Sequence, residues 1–184
     1  MNRSISIREL LHISLFVTVT AVCAQIAIPM PGGVPMTLQT WAISLAGIVL
    51  GAKNGTLATL VYVLLGAVGA PVFAGFSGGL GIIAGPTGGF ILSFPLMALT
   101  AGIGEGKGSV SRLVCGLIAG TVINFAAGML YFSLITTAGL QTAFAVAVLP
   151  FIPSAVLRII LLPAIGRSIK FALAKNNIIL DKRV

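Results

Sequence analysis

Apolar runs of roughly bilayer length, separated by connections that are alternately basic and free of charge, constrain this chain more than any other feature. Of its 184 residues, 58% are hydrophobic and 8% are charged, and the mean hydropathy is +1.14. Three acidic and eleven basic side chains cannot cover a soluble domain of this size. The chain therefore reads as an all-α integral membrane protein with a single membrane domain over residues 1–184. The basic residues form short clusters between apolar segments instead of a face with interleaved aromatics, which argues against a nucleic-acid partner.

At about 20 apolar residues per span, the charges and the Gly/Pro clusters divide the chain into six segments: Glu9 to Ile28, Met36 to Gly51, Gly55 to Val72, Gly88 to Gly104, Arg112 to Ala138 and Ser154 to Leu173. The first apolar run follows Arg3 and Arg8 as a signal peptide would. It is about as long as a bilayer requires and lacks a clear cleavage site, so it reads as a retained span. Lysine and arginine mark cytoplasmic connections. Arg3 and Arg8, Lys53, Lys107 and Arg112, and the C-terminal Arg167, Lys170, Lys175, Lys182 and Arg183 all fall on one side of this six-span topology. Both termini are thus expected in the cytoplasm. The three opposite connections, around "PMPGGVP", "FAGFSGGLGIIAGPTGG" and "GLQTAFAVAVLP", carry no charge.

The remaining basic residue is Arg158, in "LPFIPSAVLRIILLPAIG". Pro150 and Pro153 suit a helix start, which places Arg158 about one turn inside the membrane from the external side. An arginine costs about 2.5–3.5 kcal/mol at the centre of a spanning helix on insertion scales. Either it snorkels to the outer headgroups or it faces the bundle interior and awaits an acceptor. The external half of the chain holds no Asp or Glu to serve.

The stretch from Phe73 to Gly89 lies on the same side, with seven glycines in seventeen residues and no charge. Irregular backbone near membrane depth is tolerated where it is buried in protein or lines a cavity, and glycine lets backbone approach a bound molecule closely. A loop of Gly78, Gly79, Ser77 and Thr87 with the rings of Phe73 and Phe76 can close over a small, flat, mostly apolar ligand. The two rings also suit interfacial anchors. "GLGIIA" fits G-x-G-x-x-A, but no strand–helix unit surrounds it and a span separates it from Glu105; a P-loop GK[ST] is absent. "GIVLG" and "GLIAG" read as helix-contact patterns. Cys23 and Cys115 show no CxxC spacing and His12 has no partner for a metal or proton relay, so no cofactor is expected.

Several motifs together resemble the BioY family, the biotin-binding S components of energy-coupling factor (ECF) transporters. They are the TLQT element with Val34 and Pro35 before it, LLGAVG-x-PVFAG from Leu64 to Gly75, SGGLG, GPTGG and, more loosely, "LPFIPSAVLR". The resemblance implies a six-helix S-component bundle in a plasma membrane of bacterial type. It also implies biotin as transported ligand, a transmembrane coupling protein and two cytoplasmic ATP-binding subunits as partners, and no enzyme activity in this chain. The last-span element resembles PF-x-PGD-x-x-K, but here Ser154, Ala155 and Arg158 stand for the glycine, aspartate and lysine. A basic role survives as a planar fork, while hydrogen bonds to the ureido group must come from neutral groups such as Ser77, Gln39, Thr87 and Asn124. The first span offers Ser14 and Thr18, or Thr20 and Ala24, where S components carry small residues against the coupling protein.

Biotin needs apolar walls, a few neutral hydrogen-bonding groups and a cation. Phe73, Phe76, Tyr62, Ser77, Gln39, Asn124 and Arg158 form that inventory, although Gln39 and Asn124 also suit helix–helix hydrogen bonds. A stand-alone secondary carrier of biotin or a related small carboxylate is the main rival. It would want an intramembrane Asp, Glu or His relay, whereas Glu9, Glu105 and Asp181 lie at the cytoplasmic margins. No nucleophile–base pair suggests an intramembrane enzyme.

Overall fold

The computed structural model describes residues 6–30, 32–106 and 108–175; Arg3, Lys107, Asp181, Lys182 and Arg183 lie outside the described residues. Among these, five helices are long and apolar enough to cross a membrane. In chain order the elements are α1 (Ile7–Gln25), β1 (Ala27–Ile28), β2 (Met36–Thr37), α2 (Gln39–Ala67), α3 (Leu80–Ile83), α4 (Gly88–Glu105), α5 (Val110–Thr136), α6 (Leu140–Ala147) and α7 (Ile152–Lys175).

Helix α2 covers two of the expected spans without an intervening loop, yet it is not straight. Gly51 takes φ +79°, ψ 172°, a left-handed conformation that glycine adopts without a Cβ penalty. The chain reverses there: a Cβ on Gly55 would lie 2.7 Å from the Ala46 carbonyl oxygen, and Gln39 hydrogen-bonds Tyr62 across 23 residues. A straight helix of that length would separate the latter pair by about 34 Å at 1.5 Å per residue. The arms 39–50 and 52–67 are therefore an antiparallel pair joined by a single residue.

Charge separates the two ends of the bundle. At one end the Ser6–Glu9 capping box starts α1, and the second carboxylate oxygen of Glu9 accepts from Asn54 beyond the Gly51 turn. At the same end Glu105 of α4, 8% exposed, meets Arg167 at 3.0 Å and Lys170 at 3.5 Å on α7. The opposite end gathers the uncharged segments 26–30, 32–38, 68–87 and 137–151. One of these departs from expectation: "LQTAFAVA" forms α6 instead of a loop, burying Ala143 and Ala147.

Helix α4 is the most enclosed of the candidate spans, with two thirds of its apolar window buried. Small residues let its neighbours approach. Gly47 of α2 lies against the Ala98 backbone, Gly116 of α5 against the Thr100 carbonyl, and Gly120 against Thr100 and Met97. Without a hydrophobic drive between helices in lipid, such contacts supply much of the packing energy. Gly55→Val should thus lower the melting temperature of the detergent-purified protein by 5 °C or more, as roughly 2 kcal/mol of overpacking implies. Gly51→Asn should lower it as well, by roughly 2–10 °C: nothing obstructs a Cβ there, but φ +79° with ψ 172° is backbone that essentially only glycine adopts, at a cost of about 1–3 kcal/mol for other residues.

Candidate ligand site

The uncharged end opens into a cavity of about 340 Å³, lined by the segment 33–37, the Phe73–Thr87 loop and the facing sides of α2, α4, α5 and α7. Its walls are largely apolar: Phe73, Phe90, Ile91, Phe94, Phe125 and Phe151 all contribute.

The one charged group in the lining is Arg158, only 3% exposed. It sits on the second turn of α7 and turns inward, not toward the headgroups. Its Nη2 donates to Thr121 Oγ1 at 2.7 Å, and its Nε is buried without a partner among the described residues. Ala155, one turn before it, also lines the cavity, so no carboxylate meets the guanidinium there.

Asn124, one turn along α5 from Thr121, is buried and also lines the cavity. Its Nδ2 donates to the Phe90 carbonyl at 3.0 Å and to Ser93 Oγ at 2.8 Å. A carbonyl can only accept, so the amide nitrogen is fixed toward α4 and the Oδ1 is left as an acceptor facing inward. Gln39 is committed differently. Its Oε1 accepts from the Thr37 hydroxyl, its Nε2 donates to Tyr62 at 2.6 Å, and the Tyr62 hydroxyl donates onward to the Val72 carbonyl at 2.8 Å. This chain of bonds pins β2, both arms of α2 and the start of the glycine-rich loop together behind the cavity wall.

Of the residues singled out in the sequence, Arg158, Ser77, Phe73, Thr87, Gln39 and Asn124 line the cavity. The other four lie outside its lining. Tyr62 stands behind Phe73, edge to face at 5.7 Å between ring centroids. Phe76 is 73% exposed, with φ +53°. Gly78 lies against the Ala70 carbonyl, and Gly79, at φ +96°, donates its N–H to the Gly66 carbonyl at 2.7 Å. These two glycines fold the loop back onto the end of α2. The Phe73 ring rests directly on Gly66, where any Cβ would displace it.

Sequence reasoning passed over Gln25, the last residue of α1. Its Nε2 donates to the Phe73 carbonyl at 3.1 Å and its Oε1 accepts the Phe76 N–H at 2.8 Å. The side-chain amide thus holds the loop like a short piece of sheet. A glutamine at a helix end has no sequence signature for this; only the fold brings it to the loop, 48 residues away. Thr40 and Ser154 also line the cavity, and neither hydroxyl is hydrogen-bonded to the described residues. Among the described residues no group of three or more His, Cys, Asp or Glu could hold a metal ion.

A helical membrane bundle with a partly enclosed, mostly apolar cavity at one end, floored by a buried arginine, has the form of a small-molecule binding protein of the membrane. Comparison with known proteins makes this specific. A profile described as the BioY family matches residues 1–175. The "Probable biotin transporter BioY" of Pyrococcus horikoshii is 45% identical over 145 residues, covering 79% of this chain and 85% of the relative. The "Biotin transporter BioY" of Thermotoga maritima is 40% identical over 146 residues, with coverage of 79% and 85%. Among solved structures, the S-component for biotin from an ECF-type ABC transporter superposes with a TM-score of 0.81 at 25% identity, covering 92% of this chain and 94% of that one. The chain belongs to the BioY family.

The Gln25 clamp has a measurable consequence. Gln25→Leu removes both contacts to the loop, worth about 1 kcal/mol each. Stopped-flow dissociation of biotin, the ligand named for these relatives, should then be about 5- to 30-fold faster, and the melting temperature should fall by about 4–8 °C, because both contacts are already made without ligand.

Proposed function

We propose that this chain is the biotin-capturing membrane subunit of a vitamin-uptake system. Family membership supports this reading, and the observation that carries it is the cavity itself: about 340 Å³ of mostly apolar space with one buried, unneutralised cation. Biotin offers an apolar bicycle, a polar ureido edge and a single negative charge. Phe73, Phe90 and Phe94 wall the ring system. Asn124 Oδ1 accepts an N–H from the ligand, and Ser77, Thr87, Gln39, Thr40 and Ser154 offer hydroxyl and amide groups nearby.

Arg158 takes the carboxylate. At 4 Å and an effective dielectric constant of 20, unlike charges attract by about 4 kcal/mol, against about 1 kcal/mol net for a neutral hydrogen bond. Charge therefore decides which ligand group the guanidinium holds. The substitution of Ala155 for the aspartate of the resembled motif fits this reading, because a carboxylate one turn from Arg158 would compete for it.

In our reading the protein crosses the membrane six times with both termini cytoplasmic. The two arms of α2 count as separate passes, and α6 together with α7 forms the last. The grouping of Arg8, Lys53, Arg112, Arg167, Lys170 and Lys175 toward one end supports that orientation. The cavity then opens outward, where a capture subunit meets its vitamin. A transmembrane coupling protein and two ATP-binding subunits would supply the energy, with no catalysis in this chain. Ser14 and Thr18, exposed on α1 and hydrogen-bonded to their own helix, suit the coupling face better than Thr20 and Ala24, which are buried in the bundle.

The test is calorimetric titration of the purified protein with biotin and with its neutral carboxamide. Biotin should bind one to one, and the carboxamide at least tenfold more weakly. Arg158→Met should weaken biotin by about 30-fold or more, the lower end of the cost of unpairing a buried charge. Equal affinity for the two ligands would contradict the role given to Arg158.

A further inference from the structure

We propose that Thr121 is a positioning residue for the ligand carboxylate, acting entirely through Arg158; the role rests on the biotin reading above. Thr121 is 6% exposed and forms no part of the cavity lining. Its hydroxyl hydrogen is spent on the Leu117 carbonyl at 2.7 Å, so toward α7 the oxygen can only accept. What it accepts is Arg158 Nη2, at 2.7 Å, the one hydrogen bond the guanidinium makes with the described residues.

This matters because an arginine side chain has several rotatable bonds and a planar, directional fork. Among the described residues no other hydrogen bond restrains its rotation. With Nη2 held on α5, the plane of the fork is set relative to the cavity and Nη1 remains for the ligand. Asn124 lies three residues beyond Thr121, on the same face of α5. Its amide is itself locked to Phe90 and Ser93. One face of α5 therefore carries both the ligand acceptor and the group that aims the ligand donor.

The experiment compares native protein, Thr121→Val and Thr121→Ser, each titrated with biotin and with its neutral carboxamide. Valine keeps the volume and removes the acceptor, while serine keeps the acceptor. Thr121→Val should bind biotin about tenfold more weakly, with affinity for the carboxamide unchanged within about twofold. Thr121→Ser should bind biotin within about threefold of native. Should the valine variant fail to fold, Thr121→Ala removes the same acceptor with a smaller side chain and makes the same comparison. Equal weakening toward both ligands would reduce Thr121 to a packing residue, and undiminished biotin affinity would show that it does not aim Arg158; either result overturns the proposal. If native protein binds neither ligand, the biotin reading itself fails and this role goes with it.

Discussion

A guanidinium buried inside a helical bundle, with no carboxylate among the described residues to meet it, is the constraint from which the rest of this structure follows. Insertion scales put the cost of such a group at about 2.5–3.5 kcal/mol at a helix centre, and lower near a helix end such as the second turn of α7 where Arg158 sits. The hydrogen bond to Thr121 returns about 1.5–3 kcal/mol, as bonds to charged groups do, and the orphaned Nε subtracts from that. The balance is close to zero, so the protein tolerates Arg158 without being stabilised by it. The surplus attraction is left for whatever anion enters the cavity.

Irregular backbone surrounds that cavity, and each part of it is tied to a helix end. Gln25 holds the loop from α1, and the Thr37–Gln39–Tyr62–Val72 chain holds it from α2. Gly78 and Gly79 return it to the end of α2, and Tyr131 donates to the Ile83 carbonyl from α5. Non-helical segments at membrane depth persist only when their polar groups find such partners. The loop is therefore built as a fixed wall. Exposed Phe76, held at positive φ, lies at its tip, on the outer side of the segment whose inner side presents Phe73 and Ser77.

Much of this was legible in the sequence, for identifiable reasons. The positions of the charges located the charged end, and a lone arginine in an apolar run is the side chain that turns inward and lines the cavity. Where the reading went astray, the cause was local. The break between the spans ending at Gly51 and starting at Gly55 fell where the chain reverses, but a single glycine makes the turn, so the expected connection around Lys53 is helical. The "LQTAFAVA" segment lacked the length of a span and was taken for a connection, although its alanines pack as a short helix. Within the glycine-rich loop, composition could not distinguish Ser77, which faces the cavity, from Gly78 and Gly79, which fold the loop. Nor could it show that Tyr62 braces Phe73 from behind. Gln25 and Thr121 were invisible because their partners are 48 and 37 residues away; ordinary polar residues within apolar helices acquire such roles only through the fold.

The most direct measurement is an experimental structure of the protein with biotin bound. The account predicts density for the ligand inside the cavity, with its carboxylate within hydrogen-bond distance of Arg158 and its ring system between Phe73, Phe90 and Phe94. A ligand found elsewhere in the bundle, or one that turns its ureido edge to Arg158 and leaves its carboxylate in solvent, would contradict it.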